Sequence, residues 1–298
     1  MNRIVAMLLW LVVCGCAQQG EPTYTFSELL YPGATETVAV GINEAGTVVG
    51  WYRHAKGTTG FVYANGTFRP VDYPSAVLTQ LTGIASNGDI VGAYRKADET
   101  EELNGQRIAF HGFLLTNADE FLDVGHPQYP YGMNQRILPD GTIVGCYHER
   151  DWVKTMRGIT IPRHAITSSG VRADAIAVVN RPGSMNNGGT TDGKIVGSIM
   201  DDTGQAYVID RGELTTFAAP GAVRTEAWDI NPSGVVAGVF VDSASVNHGF
   251  VSENGKFTTI DFPGASGTVT FGINSRADVV GSFRAAGGQR RGYIARRN

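Results

Sequence analysis

The chain has 298 residues, enough to bury a substantial core, with 39 glycines and only 17% charged residues. Its 24 basic and 28 acidic side chains leave a net charge of −4, which argues against a nucleic-acid partner with its need for a basic face. Of the 3 cysteines only Cys146 lies beyond the first twenty residues, so an internal disulfide framework is excluded.

Residues 1–15 read as a leader. "MNR" gives a positive start, and Ile4–Val13 form an apolar run too short to span a bilayer. The run ends in "VCGC", which resembles a bacterial lipoprotein box. Cys16, with Gly15 before it, is the cysteine expected to carry lipid; Cys14 fits less well behind the bulky Val13. Residues 16–22 are then a tether and residues 23–298 a single domain. Loss of Arg3 with the leader takes the balance to −5. The expected address is the bacterial cell envelope, lipid-anchored on the periplasmic or cell-surface side, with plain secretion as the alternative.

"YTFSELLYPGATET" (24–37) opens the domain as a strand that matches "GKFTTIDFPGASGT" (255–268) near the other end. Phe26 aligns with Phe257, Leu29 with Ile260 and Pro32 with Pro263. Then comes the first full unit: "TVAVGI", a turn at "NEAG", "TVVGWYR", "GFVYA", a turn at "NG", and "TFRPVDY". These are four short strands, rich in β-branched and aromatic residues and joined by Asn/Gly turns. The "VVG" phrase recurs along the chain and ends at Gly50, Gly92, Gly145, Gly197, Gly238 and Gly281. A second phrase follows each copy: "TGFVY", "HGFLL", "HAITS", "QAYVI", "HGFVS" and "RGYIA". A third closes on Pro74, Pro127, Pro182, Pro220 and Pro263. The interval from closing proline to the next "VVG" glycine is 18 residues in five cases (32 to 50, for example) and 15 in the sixth, 182 to 197.

A period of roughly 40–50 residues with four strands each predicts an all-β fold: a six-bladed β-propeller with four antiparallel strands per blade. The last blade is completed by the N-terminal strand, which removes two open sheet edges. The phrases "G-I-N-x-x-G-x-V-V-G" and "H-G-F" or "H-A-I" resemble the HAF-type extracellular repeat family. The resemblance covers residues 23–298 and implies an exported bacterial propeller-like protein. It carries over no catalytic residue.

The chemistry is less legible. His111, His164 and His248 share one place in the alignment of the second phrases, but equivalent positions in separate blades lie far apart. No metal site or cofactor is therefore expected. Asn43, Asn231 and Asn274 read as turn residues bonding their own backbone. Cys146 is expected to be a buried, inert thiol, with His148 two residues on keeping a nucleophile reading open. From the "VVG" glycine to the small residue of the next phrase there are 20 residues in units two and three (92 to 112 and 145 to 165), against 9–11 elsewhere. That pattern predicts enlarged loops between the second and third strands of two neighbouring blades, on one face with the connection 125–132. The ligand-binding candidates on this face are Trp152, Tyr129, Tyr131, His148, Glu149, Arg157 and His126. The expected function is an extracytoplasmic binding module, expected to be monomeric, for a glycan, peptide or envelope protein. It would meet the membrane only through its lipid. The alternative is a propeller hydrolase or lyase acting on an extracellular carbohydrate polymer, for which Glu101, Glu102, Glu149 and Asp151 lie on suitable loops.

Overall fold

The computed structural model describes residues 22–298 apart from Asn104. The leader 1–15, Cys16 and nearly all of the tether lie outside the described residues. Four four-stranded sheets stand separately. One contains Tyr131–Ile137, Ile143–His148, Arg157–Ile161 and Ala177–Val178. The second runs Ser184–Gly189, Ile195–Ile199, Ala206–Asp210, Glu213–Phe217, and the third Arg224–Ile230, Val236–Val241, Asn247–Glu253, Lys256–Ile260. The fourth joins Thr268–Ile273, Val279–Arg284 and Arg290–Arg297 to Tyr24–Leu29 from the start of the domain.

Units one and two depart from the expected separate blades: their strands form one eight-stranded sheet. The join is a single parallel pair, Thr58 opposite Leu78. Its cause is local. The register slips between Ala76 and Leu78, and the carbonyl of the skipped Val77 turns toward Gly57, where a Cβ would stand only 2.5 Å from that oxygen. The bulge and the bare glycine together let two backbones meet.

The N-terminal strand pairs antiparallel with the last one from Tyr24 opposite Arg297 to Leu29 opposite Gly292. The sheets thus close into a ring, the architecture of a β-propeller. Neighbouring units pack face to face through apolar side chains. Val49, Val71 and Leu81 meet across units one and two, and Val235, Ile260 and Val279 across units five and six. Several hairpins turn on two residues with positive φ, as at Asn65 (51°) and Gly66 (80°), the twist that suits tight antiparallel connections.

The recurrent "VVG" glycine has a steric cause. A Cβ on Gly50 would lie 2.0 Å from the Val38 carbonyl and 2.9 Å from the Phe61 ring. At Gly281 the corresponding distances are 2.0 Å to the Val269 carbonyl and 2.8 Å to the Tyr293 ring. An aromatic ring of the third strand lies over the second, and only hydrogen fits beneath it.

Unit three corrects the sequence alignment. Gly158 pairs with Cys146 as Gly112 pairs with Ala93 and Gly249 with Val239. The third strand of this unit is therefore "RGITI", not "HAITS". Its loop between second and third strands is only slightly enlarged, with 13 residues from Gly145 to Gly158. The real insertion, 162–176, follows that strand and carries two short 3₁₀ turns and the hairpin Ile166–Thr167/Gly170–Val171. Its Ala165, Ile166, Val171 and Ile176 pack with Leu114, Leu122 and Tyr129 over the junction of units two and three. Unit two does carry the predicted insertion, built as the small hairpin Glu102–Leu103/Gln106–Arg107.

Ring closure makes a prediction. Deleting residues 24–29 removes a fully paired strand and the buried Leu29, a side chain worth about 1.5–3 kcal/mol by itself. The expected result is a melting temperature lower by about 10 °C or more, or aggregation through the bared edge, read by calorimetry and light scattering. A melting curve that superimposes on that of the intact chain would show that closure does not hold the ring.

Candidate functional site

The innermost strands converge on the ring axis, and each slips register at the equivalent residue: Val40, Thr82, Gln135, Asn187, Trp228 and Phe271. A bulged residue leaves the ladder and frees its carbonyl for other partners. The next residue is glycine in four strands (Gly41, Gly83, Gly188, Gly272). In the other two it is Arg136 and Asp229. Both are buried and meet across the axis. Arg136 Nη1 donates to the carbonyls of Thr82 at 2.6 Å and Val40 at 3.3 Å; Nη2 donates to those of Phe271 at 3.0 Å and Trp228 at 3.4 Å. Its Nε stands 3.3 Å from Asp229 Oδ2 as an ion pair that lacks hydrogen-bond alignment. Asp229 in turn accepts the backbone N–H groups of Ile230 at 3.0 Å and Ile273 at 3.2 Å. Burial raises the Asp229 carboxyl above its ordinary range, opposed by the Arg136 charge and these N–H groups.

The glycines make room for this pair. A Cβ on Gly188 would lie 2.6 Å from Asp229 Cα, and one on Gly41 3.1 Å from Arg136 Nη1. What remains beside it is a cavity of about 80 Å³ between the first-to-second-strand turns. At this level the axis is filled by the Arg136/Asp229 pair and its backbone partners. Asn43, Asn231 and Asn274 do bond their own turns, as expected, and also tie neighbours together: Asn231 Nδ2 donates to the Asn274 carbonyl at 3.1 Å.

The predicted loop face breaks up into parts. Tyr129 stacks on Tyr147 with ring centres 3.9 Å apart, and His126 packs on both rings. The same stacking holds Tyr31 on Tyr52, Tyr73 on Tyr94 and Phe262 on Phe283. Tyr129 and His126 are therefore part of the recurring wall between units. Burial lowers the His126 pKa. Tyr131 and His148 do come together, ring centres 5.6 Å apart. Tyr131 donates its hydroxyl to Glu101 Oε2 at 2.7 Å, which with partial burial pushes the phenol pKa up to about 12. His148 is buried, its pKa lowered by desolvation, and its Nδ1 lies 2.8 Å from the Glu149 carbonyl oxygen. Glu149 itself is exposed, and its N–H donates to Thr155 Oγ1 at 2.9 Å. Arg157 is spent on the carbonyls of Lys154 at 3.0 Å and Met156 at 2.9 Å. Trp152 opens the four-residue helix Trp152–Thr155.

The acidic residues of these loops do not form a shared pair. Glu99 bonds His111, Glu101 bonds Tyr131, Glu102 meets Arg107 at 3.2 Å, and Asp151 meets Lys154 at 3.0 Å. His164 is displaced from the expected histidine set: Arg157 takes that place in unit three, while His164 is exposed on the insertion. His248 is held by Asp261 at 2.7 Å. Burial pushes the Cys146 thiol up to about 12, unlike a nucleophile, whose pKa must fall.

Two grooves went unnoticed in the sequence because they arise between units. They flank unit four at the turn end opposite the predicted face, with volumes of about 670 and 650 Å³. The second, between units four and five, is lined by Phe217, Phe257, Asp192, Lys194, Asp210 and Asn254, among others. The two phenyl rings are 6.4 Å apart, and Lys194 sits 3.0 Å from Asp192 and 3.9 Å from Asp210.

Solved structures share the fold of this chain. A mutant of AofleA from Arthrobotrys oligospora matches at a TM-score of 0.54 and 14% identity, covering 92% of this chain and 86% of its own. A mutant of Aleuria aurantia lectin in complex with Fucα1-6GlcNAc matches at 0.50 and 10%, covering 90% and 93%. TolB from Acinetobacter baumannii matches at 0.50 and 10%, covering 88% and 64%. The fold is a β-propeller. At such identities the likeness extends to the fold alone. No protein-family model and no curated protein matches this chain.

The axis makes a prediction. Arg136→Met leaves Asp229 and several carbonyls without their cation, and breaking a buried pair costs about 3–5 kcal/mol. Denaturant unfolding should show a loss of that size. A loss below about 1 kcal/mol would mean that the axis holds without its arginine.

Proposed function

We propose that this protein is an exported glycan-binding propeller whose ligand lies in the groove between units four and five. The observation that carries the reading is the mixed lining of that groove. Phenyl rings offer area for the apolar face of a sugar, and Asp192, Lys194, Asp210 and Asn254 offer acceptors and donors for its hydroxyls. A volume of about 650 Å³ suits a small saccharide. The lectins among the structural neighbours support the class of ligand. Binding is favoured over hydrolysis because the two carboxylates of this groove, Asp192 and Asp210, both lie against Lys194, at 3.0 and 3.9 Å, whereas a glycosidase needs two that face one bond.

In this reading the eight-stranded sheet acts as two blades, so the ring counts six, as a member of the HAF-type repeat family would. The chain reaches the cell envelope through its leader and is held there by lipid on Cys16.

Two experiments follow. In a glycan and envelope-polymer screen followed by titration calorimetry, Lys194→Ala and Phe217→Ala are each expected to weaken the best ligand about tenfold or more, roughly 1.4 kcal/mol, with little change in melting for the lysine variant; Phe217 also packs on the core of its unit. Replacing the hairpin 102–107 by a short turn should leave that affinity intact. The reverse pattern would move the site to the opposite face. In the producing cell, Cys16→Ser should shift the protein out of the membrane fraction or leave its leader uncleaved. A mutant that stays membrane-bound and processed would remove the lipid anchor from the account.

A further inference from the structure

All four methionines among the described residues line one pocket. Met133 comes from the innermost strand of unit three and Met156 from the segment before its third strand; Met185 and Met200 belong to unit four. Cys146 and His148 complete the lining, with Ile108, Phe110 and Arg107 at the side of unit two. The volume is about 200 Å³, small beside the two grooves.

The repeat shows that the ring does not need these residue types here. Met133 and Met185 occupy one place in their units, where the others carry Val38, Gln80, Glu226 and Val269. His148 and Met200 share another, where the others carry Arg53, Arg95, Val241 and Arg284. Cys146 stands where Trp51, Ala93, Ser198, Val239 and Ser282 stand elsewhere. At these places sulfur and imidazole thus stand only where units three and four meet; the other units carry aliphatic, aromatic, amide, hydroxyl or charged groups. Methionine can fill irregular gaps and a free cysteine can pack as a small hydrophobe, but packing does not explain a buried histidine beside them.

The imidazole is already oriented. Its Nδ1–H donates to the Glu149 carbonyl at 2.8 Å, which leaves Nε2 as the lone-pair nitrogen, the arrangement that fixes metal-binding histidines. Gln135 Nε2 lies 3.7 Å from Met185 Sδ and steadies that side chain. The positive charge at the rim is compensated: Arg107 is paired with Glu102 at 3.2 Å and bonds the Glu99 carbonyl at 3.1 Å.

We propose that this pocket binds one soft monovalent metal ion, Cu(I), through thioether sulfurs from units three and four with His148 Nε2 and Cys146 Sγ. Thioether and thiolate ligands select Cu(I) over the hard divalent cations; Cys146 would release its proton to solvent on binding, and the resulting Cu(I)–thiolate pair is neutral, which suits a site walled by apolar groups. The ion would add a bridge between two units already tied by hydrogen bonds, among them Asn186 Nδ2 to the Ile159 carbonyl at 3.1 Å and Gly158 N–H to Ser184 Oγ at 3.0 Å.

The test is anaerobic titration of the purified protein with Cu(I) in competition with bicinchoninate, with Ag(I) as a redox-inert probe. One ion per chain at submicromolar affinity is expected. Met156→Leu/Met185→Leu, close in volume, should lower the affinity at least a hundredfold without shifting the metal-free melting temperature. No competition with bicinchoninate, or full affinity in the double variant, overturns the proposal. So does uptake of an apolar dye by a pocket that rejects both ions, which would make it an apolar ligand site. Should the double variant fail to fold, X-ray absorption of the Cu(I)-loaded parent decides: a sulfur-dominated shell supports the site and a nitrogen/oxygen shell overturns it. Neither result depends on glycan binding.

Discussion

Everything in this ring leans on one guanidinium. Arg136 is planar, permanently charged, and has five N–H donors that must be met once water is gone. The axis meets most of them with backbone rather than side chains: the carbonyls of Val40, Thr82, Trp228 and Phe271 are available because each of those residues is bulged out of its ladder. The bulges and the arginine therefore explain each other. Without the cation the inner strands would bury unpaired carbonyls; without the bulges the cation would have one carboxylate and little else. The four glycines at the equivalent positions keep the space clear, so a single Arg/Asp exception in six strands is enough to set how the inner strands sit about the axis. Buried ion pairs contribute little net stability as a rule. Here the pair links five units at one point, which is a matter of register more than of strength.

Around that axis the units are held by two cheaper devices used repeatedly. An aromatic ring of the third strand covers the "VVG" glycine of the second. A ring from the incoming connection stacks on the second strand, as Tyr73 does on Tyr94. Unit four has neither a stacked ring at the second place, where Ile199 stands, nor an insertion over its flanks. The two large grooves lie on either side of it. The insertion of unit three, by contrast, covers its own junction with unit two. Open concave surface occurs where the repeat is least furnished.

The sequence showed the periodicity, the strand content and the closure by Tyr24–Leu29 because all three rest on short-range patterns: turn residues, alternating β-branched positions, and a matched pair of terminal phrases. It misled in unit three because "HAITS" resembles the second phrase more than "RGITI" does, and similarity of words outweighed pairing. Gly158 opposite Cys146 could not be seen without the ladder. The signal for Arg136 and Asp229 was present, as the two departures from glycine after the bulge, but a charge in a repeat reads as a surface variation until the axis is in view. Tyr129 reads as a ligand platform in the sequence; in the fold it stacks on Tyr147 in the wall between units and, with His126, lines a cavity of about 260 Å³. The methionines are scattered over 68 positions from Met133 to Met200, so their convergence is a property of the ring and not of any window.

The pairing of the first strand with the last also sets a timetable. Phe26 and Ala295 are partners separated by almost the whole chain, so nothing local can form this contact early. As the polypeptide emerges, the inner and middle strands of each unit can zip as hairpins and stack in order. The final sheet stays one strand short until the end of the chain arrives. Loop-closure entropy makes such a last step slow relative to hairpin formation. Until then the first strand waits, with its Leu29 bare and a free edge on either side of the gap. The ring is most vulnerable to misassembly in that interval, when it is almost complete.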